Sequence, residues 1–251
     1  MGLTMMPRLF AGLFILATMT WAAVASTADY RTFRPDGDGP FPAIVFVSGC
    51  SGFAPSVAPN SYTSAAERFR KDGFLVIFVD YLGARGLKAC SITTIPHEEA
   101  ARDVAAAVAS LRAQPSVRAD VITVIGWSYG GGVVMAALAA LPAGQPSPFR
   151  TVLFYPDCRG RKPWTTAADV LVLLGGKDDV APPALCREAL AKSAAPERID
   201  QKMYAPALHA FDADELPAQT RYPFGIIGYH KESATAAWAE IDRFLRAGAT
   251  K

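Results

Sequence analysis

The sequence predicts a doubly wound α/β domain, a mostly parallel sheet with helices on both faces. Three observations predict it. Short, unbroken apolar runs bounded by Gly, Pro or Asp recur along the chain, the pattern of strands buried on both faces of a parallel sheet. Segments with helical periodicity lie between them, and alternating strands and helices build such a sheet. Every group of residues with chemical potential follows a strand run, where an open α/β sheet places its site.

Taken in order, Ala43–Val47 and Phe74–Val79 are the first two strand runs. Between 98 and 112, Ala101, Val104, Val108 and Leu111 fall on one helical face. Val121–Ile125 is a β-branched run that ends in Gly126-Trp127-Ser128-Tyr129-Gly130, followed by a small-residue helix. Thr151–Tyr155 and Val170–Leu174 repeat the strand style, and Ile199–Tyr204 is a weaker instance. The last helix carries Ala237, Trp238, Ile241, Phe244 and Leu245 on one face. The stretch from Asp212 to Tyr229 is long for a connection, and connections of that length often cover sites.

The 251 residues, 51% hydrophobic and 19% charged, suit one domain with a large core. A net charge of +2 without long blocks of one sign recommends neither nucleic acid nor an acidic membrane as partner. Arg8, the apolar stretch Leu9–Ala25 and the terminal Ala23-Val24-Ala25 read as a secretory signal over residues 1–25, with an uncleaved anchor as the alternative. Residues 26–251 then form a single exported domain, periplasmic or secreted, without stable membrane insertion. Export permits disulfides between Cys50, Cys90, Cys158 and Cys186. If the strands preceding them are neighbours, the pairs Cys50–Cys90 and Cys158–Cys186 are favoured, with free buried thiols as the alternative. No zinc-type spacing of Cys or His occurs.

Gly126-x-Ser128-x-Gly130 between a strand and a helix is a nucleophile elbow, a turn so tight that both glycines leave room where a Cβ would clash. A serine hydroxyl needs a base. In the chain order Ser, Asp, His, the base follows both partners. His97 is thereby excluded, and His209, in the loop after the last strand, is favoured over His230, whose ordinary role at the last helix is capping or solvation. The acid comes from Gly175-Gly176-Lys177-Asp178-Asp179, with Asp178 preferred to Asp179, which suits a helix cap. Two N–H groups are needed for the oxyanion: that of Tyr129 and, from the Gly49-Cys50-Ser51-Gly52 turn, that of Cys50. An ordinary glycine turn is the alternative for the latter.

Gly126–Gly131, the Gly-Gly-Lys-Asp-Asp loop and Leu208-His209-Ala210-Phe211-Asp212 resemble the dienelactone hydrolase family over roughly residues 36–247. The resemblance implies the α/β-hydrolase fold and a catalytic triad of Ser128, Asp178 and His209. The Gly49–Gly52 turn and the stretch from Val79 through Arg85 to Cys90 resemble an exported branch of the family. The chain departs from the namesake enzymes in two ways. It has Ser128 where they have a cysteine, and no acid in Val47-Ser48-Gly49-Cys50, where they carry a glutamate.

The expected activity is therefore that of a serine esterase acting on a small-molecule ester, lactone or thioester, with no metal or organic cofactor. Peptide or amide cleavage, or a non-catalytic binding protein on the same fold, are the other readings. Trp127, Tyr81 and Arg85 are expected around the substrate. Arg85 suits a substrate carboxylate, with an ion pair to Asp80 as its structural alternative. Arg221-Tyr222-Pro223-Phe224 is a further segment that would line or cover the pocket.

Overall fold

The computed structural model describes Gly2 and residues 30–90 and 95–249. The proposed signal segment lies almost wholly outside them. A seven-stranded sheet forms the centre: β1 (Thr32–Phe33), β2 (Phe41–Val47), β3 (Leu75–Phe78), β4 (Val117–Trp127), β5 (Arg150–Phe154), β6 (Val170–Gly175) and β7 (Ile199–Tyr204). Its spatial order is β1-β3-β2-β4-β5-β6-β7, and every pairing is parallel except that of β1 with β3. The order doubles back at β2, so chain crossovers leave from both sides of the sheet.

Alternate side chains of each central strand enter different cores, as the two-residue period of a strand requires. In β2, Ala43, Val45 and Val47 pack beneath α2 (His97–Arg112), α3 (Tyr129–Ala139) and α4 (Pro183–Ala191), whereas Ile44 and Phe46 face α1 (Ser61–Lys71) and α5 (Lys231–Ala249). Val170, Val172 and Leu174 of β6 join the first layer, Leu171 and Leu173 the second. Burial on both faces explains why these strands read as unbroken apolar runs.

The structure adds elements that the hydrophobic pattern does not announce. α1, with the sequence SYTSAAERFRK, buries only Ala66 and Phe69, too thin a stripe to stand out. The 212–229 connection holds a hairpin of two three-residue strands, β8 (Thr220–Tyr222) and β9 (Gly225–Ile227).

Both favoured disulfides are present. Cys50 and Cys90 follow the paired strands β2 and β3, with Cα atoms 4.8 Å apart. Cys158 follows β5, Cys186 lies in α4 after its neighbour β6, and their Cα atoms are 5.0 Å apart. Register alone thus brings the loops into bridging range.

Candidate active site

Ser128 sits between β4 and α3 with φ 52° and ψ −119°, a conformation few non-glycine residues adopt. The turn is fixed on both sides. The Ser128 N–H donates to the Phe154 carbonyl at 2.9 Å, and the Ser128 carbonyl accepts from the Asp157 N–H at 2.9 Å. A Cβ on Gly126 would lie 2.7 Å from the Gly130 carbonyl oxygen, so the crossing of strand and helix admits no side chain there.

His209 follows β7 and is buried. Its loop is pinned to β9, with the Gly228 N–H donating to the His209 carbonyl at 3.0 Å. The ring bridges two partners: Nε2 lies 2.9 Å from Ser128 Oγ, and Nδ1 lies 2.7 Å from Asp178 Oδ2. Asp178 is itself held, because its Oδ1 accepts from the Val180 N–H at 2.9 Å and the Ala181 N–H at 2.8 Å. Asp179 turns the other way and accepts from the Ile226 N–H at 2.9 Å, which anchors the hairpin. The two adjacent aspartates therefore have separate roles. His230 takes the ordinary role foreseen for it, its Nδ1 accepting from the Ser233 N–H at 3.3 Å in the first turn of α5.

The turn after β2 has a fixed backbone. Tyr62 Oη accepts from the Gly49 N–H at 2.9 Å, and the Tyr81 hydroxyl, fully buried, reaches the Ser48 and Gly49 carbonyls at 3.1 and 3.2 Å. With the Gly49 N–H engaged, the next donor along the turn is that of Cys50, which lines a cavity of about 1000 Å³ together with Ser128, Tyr129 and His209. Tyr129 opens α3, where first-turn N–H groups have no partner within the helix and the helix dipole favours negative charge.

Two expectations about the substrate side need correction. Arg85 is not among the residues that line the cavity. Its guanidinium turns to α2, pairing with Glu99 at 2.8 Å and Asp103 at 2.6 Å, because those carboxylates present a fork that matches it. Asp80, the partner envisaged for it, instead accepts from the Gly83 N–H at 2.8 Å. Tyr81 is likewise absent from the lining and acts from below, as the prop of the Gly49 turn. Trp127 does line the cavity, as do Tyr222 and Phe224 of the hairpin. Phe224 is 70% exposed at the hairpin tip, and Tyr222 Oη lies 2.9 Å from Ser51 Oγ, so the hairpin spans the cavity to reach the turn after β2.

Tyr62, Tyr155 and Asp212 also line the cavity and were not singled out from the sequence. Asp212 lies in the His-Ala-Phe-Asp string, which is the one signal in the sequence that points to it.

His97, excluded as the base by chain order, packs behind the elbow. Its ring stacks on Tyr129 with centroids 3.9 Å apart, and Nε2 lies 3.7 Å from Asp157. Burial pushes its pKa down from 6.5 to about 4, helped by the Arg161 charge and opposed by Asp157. Between these two values the unfolded chain takes up a proton that the folded protein refuses. Stability is therefore expected to fall by about 3 kcal/mol as pH drops from 6.5 to 4. Urea unfolding across that range measures it, and His97→Phe should remove this part of the slope.

A parallel sheet with helices on both faces, a serine at the strand–helix turn after β4 and a histidine in the loop after β7 define an α/β hydrolase. A model of the dienelactone hydrolase family matches residues 29–248. The chain belongs to the dienelactone hydrolase family, within the carboxylic ester hydrolases. Solved structures share the fold. A protein from Klebsiella pneumoniae subsp. pneumoniae, described as a candidate dienelactone hydrolase, is 21% identical with a TM-score of 0.66, over 85% of this chain and 90% of its own. A butyrate-bound esterase 2 from Thermogutta terrifontis is 18% identical with a TM-score of 0.61, over 89% and 92%. A dienelactone hydrolase-like promiscuous phosphotriesterase from metagenomic libraries is 18% identical with a TM-score of 0.60, over 84% and 88%. No curated protein matches the sequence.

Proposed function

We propose that the protein is an exported, single-domain serine hydrolase that cleaves a small-molecule ester, lactone or thioester through an acyl-enzyme. The observation that carries this reading is the unbroken chain Ser128 Oγ–His209–Asp178, with contacts of 2.9 and 2.7 Å. Ser128 attacks the carbonyl carbon while His209 Nε2 takes its proton, and Asp178 holds the imidazole through Nδ1–H and stabilises the cation that forms. The N–H groups of Cys50 and Tyr129 stabilise the tetrahedral oxyanion. His209 then protonates the leaving group, and water, activated by the same base, releases the acid.

The cavity of about 1000 Å³ is at the upper end of the small-molecule range, and its wall is largely aromatic and aliphatic. Arg85, the cation foreseen for a carboxylated substrate, is committed to α2. Arg68 and Arg159, which do line the cavity, are paired with Asp242 and Asp157, so the wall as a whole favours uncharged acyl or alcohol groups. A related fold binds butyrate, and a structure of that same esterase is phosphorylated by paraoxon, consistent with an activated serine here. Two disulfides and the apolar N-terminal stretch support export.

Matched p-nitrophenyl esters and p-nitroanilides of the same acyl group test the reaction class. The esters are expected to turn over at least a hundredfold faster in kcat/KM. Comparable turnover of the anilides would make the protein an amidase.

A further inference from the structure

Asp212 is a carboxylate on the cavity wall, three residues beyond His209, that the triad does not use. No cation pairs with it among the described residues. Its two oxygens are held by uncharged donors instead: the Trp127 indole N–H donates to Oδ2 at 2.9 Å, and the Tyr155 hydroxyl donates to Oδ1 at 2.5 Å. Trp127 immediately precedes Ser128, and the Tyr155 ring packs on the His209 ring with centroids 4.5 Å apart. One carboxylate thus ties the serine's strand, the end of β5 and the histidine's loop together.

A carboxylate in so enclosed a place is costly without a counter-charge. Burial raises the Asp212 pKa, while the two donors and the neighbouring His209 oppose that rise. Two donors directed at two oxygens favour the ionised form. The charge missing from the resting site arises during the reaction, when His209 takes the serine proton and becomes imidazolium. An interaction that strengthens only at that moment lowers the barrier rather than the ground state.

We propose that Asp212 is an electrostatic positioning residue, a second carboxylate that acts through His209, orienting it by way of Tyr155 and favouring its cationic form in the transition state. The inference rests on the triad reading above. Asp212 neither takes nor gives a proton. The other titratable groups facing this pair are Tyr62 of α1, Tyr155 after β5 and Asp178 after β6. The hydroxyls of Tyr62 and Tyr155 stay neutral, because burial raises both above their ordinary value. Asp178 and Asp212 are therefore the two acids acting on the imidazole.

The test is the pH profile of kcat and KM for p-nitrophenyl butyrate in the wild type, Asp212→Asn and Tyr155→Phe, with folding checked by near-UV circular dichroism. Asp212→Asn is isosteric and removes the charge. It is expected to lower kcat about tenfold or more with KM little changed, and to move the acidic limb to lower pH, since imidazolium is then less favoured. Tyr155→Phe keeps the Asp212 charge but removes a donor that partly neutralises it, so imidazolium is favoured more and the acidic limb moves to higher pH. Opposite displacements support the proposal, and a merely structural tie would move neither limb. If Asp212→Asn does not fold, the Tyr155→Phe displacement decides by itself.

An unchanged kcat and limb in the folded Asp212→Asn enzyme would overturn the proposal. So would a loss confined to KM for cationic esters, which would make Asp212 a substrate-binding group. Neither result touches the triad reading, which fails if Ser128→Ala retains activity.

Discussion

Ser128→Ala is expected to lower kcat toward esters by about 10⁴–10⁶-fold with KM little changed, the scale on which a triad nucleophile acts. The expectation follows from geometry. Among the described residues, Ser128 Oγ is the hydroxyl within hydrogen-bond reach of His209 Nε2. A residual rate would come from the Cys50 and Tyr129 N–H groups and from binding. The backbone supplies a second readout. Ser128 holds φ at 52°, which costs of order 1–3 kcal/mol for a non-glycine residue. Ser128→Gly should therefore abolish turnover and raise stability by roughly 1 kcal/mol, whereas Ser128→Ala keeps the strain and the native unfolding midpoint. A loss below tenfold in folded Ser128→Ala would mean that the nucleophile lies elsewhere.

Gly130→Ala carries the largest expected effect on the fold. A Cβ at Gly130 would overlap the carbonyl oxygens of Val47 and Ser48, where α3 crosses the end of β2. Both oxygens are backbone, and the Ser48 carbonyl is also held by Tyr81, so neither side can yield cheaply. The variant is expected to lose about 3 kcal/mol or more, read as a lowered urea midpoint, or not to accumulate as folded protein. Gly49→Ala is the control. Its Cβ meets nothing closer than the Tyr62 hydroxyl at 3.4 Å, so its stability should stay within about 1 kcal/mol of the wild type.

The fold was legible because burial leaves a one-dimensional trace. β2 and β6 are buried on both faces and read as continuous apolar runs, and the elbow is marked by glycines that steric contact demands. Disulfide pairing followed from strand adjacency, since Cys50 and Cys90 trail two strands paired in register. The directions of side chains leave no such trace. Arg85 has the chemistry of a carboxylate ligand, yet Glu99 and Asp103, one helix away, claim it. Tyr81 is close to the site and points beneath it. Asp178 and Asp179 are adjacent and chemically identical, and only the positions of His209 and Ile226 separate them. Asp212 acquires meaning only when the end of β5 brings Tyr155 against it. The hairpin strands are three residues each, too short for a period to register.

The most direct test of the proposed chemistry is stoichiometric labelling of the purified protein with a fluorophosphonate, with the modified residue located by mass spectrometry in the wild type and in His209→Ala. The account predicts one adduct per chain, on Ser128, formed at least a thousandfold more slowly when the imidazole is absent. An adduct on another residue, or equal labelling of folded His209→Ala, would contradict it.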